Sequence, residues 1–134
     1  MKVVINDNYG GFALSYKAMR WLVDEKGWLL ISNNEFSENF KKYQNKIELI
    51  RICYSKGKGK LHVNCYNDIQ FRSHPDLIEC VQNLGREAAW DTLHRDDNEG
   101  DTLKIVEIPD GIDVEICEGD GGLEYIAEKH RVWF

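Results

Sequence analysis

LKIVEIPDGIDVEICEGDGG, residues 103–122, decides the fold class. Leu103 to Ile108 is an apolar, β-branched run, and Pro109-Asp110-Gly111 is a turn. Ile112, Val114 and Ile116 then alternate with Asp113, Glu115 and Cys117. A period of two belongs to a strand with one face buried and the other in water. Glu118 to Gly122 predicts a second turn, and Leu123 to Trp133 a returning strand. The C-terminal third therefore reads as an antiparallel β unit.

Upstream of it, helical and extended signals are mixed. Lys2 to Asn6 predicts a short strand, followed by a loop over Asn6-Asp7-Asn8-Tyr9-Gly10-Gly11, where glycine and Asx residues suit positive φ. Ser15 is a helix N-cap, with Leu14 and Met19 placed as a hydrophobic staple. Leu14, Ala18, Trp21 and Leu22 then share a helical face up to about Lys26, and Gly27 stops the helix. Trp28 to Ile31 predicts a strand, and residues 33–46 a surface excursion or a short helix. Ile47–Tyr54 and Leu61–Tyr66 read as strands joined by a flexible basic tip, Ser55 to Lys60. Ile69 to Arg72 reads as a further extended piece.

Ser73-His74-Pro75-Asp76 is a helix-start signal, with Ser73 and Asp76 at capping-box spacing. Leu77, Ile78, Val81 and Leu84 supply that helix's buried face, and Gly85 stops or interrupts it. Residues 86–93 continue helically, and 94–101 form a solvated acidic loop. The expected architecture is a single α+β domain over residues 1–134, with a mainly antiparallel sheet and two main helices.

Composition narrows the function classes. The chain has 134 residues, 17 basic and 23 acidic, for a formal charge of −6. An acidic excess argues against general nucleic-acid binding, although it leaves room for a local basic patch. No apolar run reaches the ~20 residues of a membrane span, and the N-terminus lacks a secretory pattern. A soluble intracellular protein is expected. Cys53, Cys65, Cys80 and Cys117 contain no C-x-x-C pair and sit among apolar neighbours, so they read as small buried hydrophobes, not zinc ligands. Neither a metal site nor a cofactor is expected.

Catalytic motifs fare poorly. The Gly10-Gly11 loop lies between a strand and a helix, where phosphate loops occur, but neither dinucleotide nor P-loop spacing is present. His94-Arg95-Asp96 copies a kinase fragment, yet Asp101 stands where the magnesium-binding Asn belongs. Counting back from Gly100 puts Arg95 at the first ligand position of a calcium loop, which excludes an EF-hand. Glu128 and His130 would share one strand face, with Lys129 and Arg131 on the other. The first pair suits acid–base chemistry and the second suits holding a phosphate or carboxylate, while a solvated, salt-bridged face explains the same pattern.

Three segments resemble a group of small proteins of bacteriophages, prophages and other viruses. They are Lys2-Val-Val-Ile-Asn6 with Tyr9-Gly10-Gly11-Phe12 and Leu14-Ser15; Arg72-x-x-Pro75-x-Leu77 with Leu84-Gly85; and Leu103 to Gly111 with Asp120-Gly121 and Ile126-Ala-Glu-Lys-His-Arg131 and Trp133. The group's usual acidic residue before the proline is His74 here, and residues 33–66 have no counterpart. The resemblance implies a viral accessory protein working in the host cytoplasm, and it implies no particular activity.

The leading expectation is a binding protein that engages a host protein or sequesters a small anionic ligand such as a nucleotide. Its site would comprise Asn6, Tyr9, Gly10, Gly11, Phe12, Arg72, Lys129 and Arg131. One alternative is a hydrolase or transferase acting on nucleotides or nucleic acid through Glu128 and His130. Another uses the carboxylates of the C-terminal hairpin, Asp110 to Glu128, as an acidic surface that inhibits a host DNA-binding protein. The terminal Val132-Trp133-Phe134 must fold back or bury itself in a neighbour, and a homodimer is one way to do the latter.

Overall fold

The computed structural model describes residues 1–7, 12–44, 46–55, 58–63, 68–89 and 103–129, with 52–55 and 58–63 described at the backbone. Val3, Val4 and Ile5 are all buried, so the first strand, β1 (Lys2–Asn6), is covered on both faces. It pairs antiparallel with β5 (Leu103–Glu107), Val3 opposite Val106 and Val4 opposite Ile105. Helix α1 (Tyr16–Lys26) starts where expected, the Ser15 hydroxyl accepting from the Ala18 N–H at 3.0 Å. Gly27 ends it at φ 70°, a conformation that returns the Trp28 N–H to the Leu22 carbonyl. Ala18, Met19 and Leu22 of α1 pack against Leu77, Cys80 and Val81 of α5 (Pro75–Leu84), with Val4, Phe71 and Trp28 completing the main core.

The α+β class holds, but the strands among the described residues divide into three small sheets. One is β1–β5. The second contains β2 (Leu29–Ser32), β3 (Leu49–Ser55) and β4 (Lys58–Val63) in that order. The third is the hairpin of β6 (Val114–Glu118) and β7 (Glu124–Glu128), in the register set by the alternation. Among the described residues, three of the four strand pairings are antiparallel, and β2–β3 is parallel. A parallel pair needs a crossover, which residues 33–46 provide as α2 (Asn33–Glu38) and α3 (Phe40–Tyr43). The Ser32 hydroxyl caps α2 through the Glu35 N–H, and Phe36 and Tyr43 bury against Ile31 and Leu49 in a second, smaller core.

Four local expectations change. Residues Ile69–Arg72 form one helical turn, α4, capped by Asp68 through the Gln70 N–H; four residues are too few for periodicity to separate strand from helix. The cap of α5 is His74, not Ser73. Pro75 occupies the first turn and forces the residue before it into an extended conformation, so His74 Nδ1 accepts from the Asp76 N–H while the Ser73 hydroxyl donates back to Ile69 O. Strand β4 begins at Lys58, so Lys58 and Lys60 are strand positions instead of a hairpin tip. The continuation beyond Gly85, at φ 57°, is a 3-10 turn over Gly85–Ala88.

Candidate functional site

Arg72, Asn6 and Phe12, assigned to one site from sequence, do converge. Arg72 ends α4 and its side chain is wholly buried. Its Nη1 donates to Glu124 Oε1 at 2.7 Å and to Val4 O at 3.1 Å, and Nη2 donates to Glu124 Oε2 at 2.8 Å. This is the parallel two-bond geometry that a guanidinium fork makes with a carboxylate. The Phe12 ring covers the guanidinium, with its centroid 3.5 Å from Cζ. The Asn6 N–H donates to Glu124 Oε1 at 2.7 Å, and Asn6 Nδ2 donates to Gly122 O at 3.0 Å. One arginine thereby ties α4 to β1 and β7. An external anion at Arg72 would have to displace Glu124, which is itself held by Asn6, so this cluster braces Asn6 and Phe12 against α4 and β7. Tyr9, Gly10 and Gly11 of that loop lie outside the described residues.

Lys129 lies elsewhere, just past the end of β7 and not within the strand as expected, five residues on from Glu124, which at strand rise is about 16 Å. Its N–H donates to Asp113 O at 2.8 Å, closing the open end of the β6–β7 hairpin. There it lines an open cleft of about 260 Å³ with Ile69, Ile112, Val114, Asp113, Asp110, Gly111 and Met1. Asp110 is paired with the Met1 ammonium at 3.0 Å, whereas the Lys129 ammonium and Asp113 carboxylate form no ion pair among the described residues. Beside the Met1–Asp110 ion pair, the cleft's lining thus combines apolar side chains with one further cation and one further anion. Arg131 and His130 lie outside the described residues, and Glu128 is exposed opposite Val114 and does not line the cleft.

A second polar network escaped the sequence reading. Trp28 Nε1 donates to Asp76 Oδ2 at 2.8 Å, and the Trp28 ring meets the His74 ring edge-on at 5.4 Å. Because His74 Nδ1 accepts from the Asp76 N–H, the ring proton belongs on Nε2, where it donates to Glu48 Oε1 at 2.9 Å. That bond holds the Glu48 carboxyl below its ordinary range. The signal available was the His-Pro-Asp order at a helix start; nothing local pointed to Glu48, 26 residues away.

Cys80 is buried as expected, its thiol pushed up to about 12 by desolvation. Cys117 is half-exposed, and the side chains of Cys53 and Cys65 are outside the described set. Of the hairpin carboxylates, Asp110, Asp113, Glu115, Glu118, Asp120 and Glu128 are exposed, and Glu124 turns inward to Arg72. Among the described residues, no three His, Cys, Asp or Glu side chains group to hold a metal, and no helix is long and apolar enough to cross a membrane. Comparisons with protein-family models, curated proteins and solved structures find no match to this chain.

Proposed function

We propose that the protein is a small viral accessory protein, working in the host cytoplasm, that captures a small ligand through an anionic group at the Lys129 cleft. The observation that carries this is that Lys129 lines a 260 Å³ cleft together with the apolar Ile69, Ile112 and Val114. Small-molecule pockets usually start at about 300 Å³. The cleft therefore suits a head group with a short apolar or sugar body, and not a whole dinucleotide. Lys129 would take a phosphate or carboxylate, and Asp113 would accept from a hydroxyl or amine of the same ligand. The sugar–phosphate portion of a nucleotide supplies both. The resemblance to small viral proteins supports a ligand belonging to the host.

Thermal-shift measurements against cyclic and linear nucleotides, with inorganic phosphate as the minimal probe, test the reading. A ligand at a hundredfold excess over its Kd adds about 2.7 kcal/mol, a rise in Tm of several degrees. Lys129→Ala should abolish the shift without lowering the Tm of the free protein. No stabilisation across the panel, or an equal shift in the variant, refutes it.

A further inference from the structure

The net charge hides a division of the chain. Residues 39–67 contain seven of the 17 Lys and Arg and one of the 23 Asp and Glu, a net of +6, so the rest of the chain carries −12. That single acid, Glu48, is already held by His74. The basic segment makes up α3, β3 and β4.

The topology sets these basic positions in a line. Arg51 on β3 stands beside Ile31 of β2 and opposite His62 of β4, and Cys53 and Ser55 stand opposite Lys60 and Lys58. Alternate strand residues share a face, so positions 51, 58, 60 and 62 fall on one side of the sheet, and Gly59, Leu61 and Val63 on the other. The basic side is the one α2 and α3 cover at its β2 end. There the Arg51 guanidinium lies 4.3 Å from the Phe36 ring centroid, and Phe36 meets Phe40 edge-on at 5.7 Å. Phe40 is 53% exposed, with Lys41 and Lys42 exposed beside it.

The described members of this strip are not neutralised internally. On α1, by contrast, Lys17, Arg20 and Lys26 pair with Glu87, Asp24 and Glu79. Among the described residues, Lys41, Lys42 and Arg51 have no carboxylate in ion-pair range, and the buried Arg51 Nε lacks a hydrogen-bond partner. A lysine on an edge strand discourages edge-to-edge pairing, and that alone explains one lysine on β4. It does not explain two lysines at successive same-face positions of β4, or the continuation of basic residues through Arg51 of β3 to Lys41 and Lys42 of α3.

We propose that this face binds single-stranded nucleic acid. Same-face positions on a strand recur at about 6.6 Å, a repeat suited to tracking successive phosphates of an extended strand. An exposed aromatic at the end of a basic track is the stacking platform that single-strand binders add to their electrostatics. A lipid surface or an acidic peptide would use the charge but has no bases to stack on Phe40. The site is separate from the Lys129 cleft, and either can fail without the other.

The test is fluorescence anisotropy of the full chain with a labelled oligo(dT) or oligo(U) of about 15 nucleotides. With three phosphates neutralised, the single-strand salt slope of about −0.7 per contact weakens binding roughly 20-fold between 50 and 200 mM salt. Lys58→Glu with Lys60→Glu should cost at least tenfold at 50 mM. Lys41→Glu with Lys42→Glu, on the exposed α3, should do the same and does not depend on the β3–β4 hairpin folding normally. Phe40→Ala should cost about tenfold while leaving the salt slope unchanged. Lys2→Glu with Lys104→Glu makes the same charge change on the β1–β5 sheet and should leave affinity within twofold. The proposal falls if no binding occurs at 50 mM salt, if the β1–β5 variant loses as much as the strip variants, or if phosphatidylserine vesicles bind and the oligonucleotides do not.

Discussion

Replacing Glu124 by Gln is the most informative single perturbation of this fold. The change keeps the size of the side chain and one carbonyl acceptor. It removes the charge from a carboxylate only 5% exposed, whose partner guanidinium is not exposed at all. It also turns an amide NH₂ toward one arm of Arg72, setting donor against donor where a 2.7 or 2.8 Å bond stood. Breaking a buried ion pair from one side costs about 3–5 kcal/mol, because the remaining charge keeps its desolvation penalty. With an unfolding entropy of about 2.1 cal/mol/K per residue, 134 residues give about 0.28 kcal/mol/K, so Tm should fall by about 11–18 °C. Urea and thermal denaturation followed by far-UV circular dichroism measure both quantities. Arg72→Met should cost a similar amount by leaving the carboxylate buried. The double variant Arg72→Met with Glu124→Leu removes both charges and should cost no more than either single change, since the pair's desolvation penalty goes with it. A Glu124→Gln loss below about 1 kcal/mol, or a double variant whose loss equals the sum of the singles, would refute the claim that this pair braces α4 to β1 and β7.

Three further outcomes follow from particular contacts. The hydrogen bond from His74 holds the Glu48 carboxyl below its ordinary range, so Glu48 favours the folded state above its unfolded value near 4.5 and loses that contribution as pH falls through the folded value. Stability curves of the native chain and Glu48→Gln should therefore converge below about pH 4.5, and parallel curves would show that the bond contributes nothing. With its thiol pushed up to about 12 and no exposure, Cys80 should stay unmodified by iodoacetamide at pH 8 while Cys117 reacts, as peptide mapping can read; equal labelling in the native state would contradict the packing of α1 on α5. Gly27→Ala places a Cβ on a left-handed residue at φ 70°, and although the space around it is open the backbone cost should lower stability by about 1–2 kcal/mol in urea titrations.

Legibility followed range. The Ser15 cap, the Gly27 stop and the alternation through Val114 and Ile116 depend on neighbours within a turn or a hairpin, and each appears where expected. The parallel β2–β3 pair depends on whether Phe36 and Tyr43 find Ile31 and Leu49 across the chain, which a polar stretch with scattered aromatics does not announce. The convergence of Asn6, Phe12 and Arg72 was anticipated, but its chemistry was not. Alternation places Glu124 on the same hairpin face as Ile126 and Glu128, and nothing local distinguishes the glutamate that turns to an arginine 52 residues away from one facing water. The Glu48–His74 contact was missed for the same reason. His74 stands at a helix start that hydroxyl preference alone would cap with Ser73, but the constraint Pro75 puts on its predecessor outweighs that preference.

Charge behaves in the same way, and the consequence can be measured. A formal −6 treats every ionisable group alike, yet Arg72 and Glu124 cancel inside the core, and the α1 cations are each matched by a carboxylate. What remains is basic on the exposed Lys41 and Lys42 of α3 and in the sequence of β4, and acidic along the β6–β7 hairpin. At 0.15 M salt the screening length is about 8 Å, shorter than the strip itself, so a polyanion on β4 responds to local lysines and not to the total. At 0.01 M it is about 30 Å, and the −12 borne by the rest of the chain is no longer hidden. Affinity for a single strand should therefore not keep rising as salt is removed. Its logarithm should climb with a slope near −2 down to roughly 0.05 M and flatten or turn over below that, whereas a uniformly basic binder would stay linear. A straight line continuing to 0.01 M would mean that the two charge fields do not oppose each other.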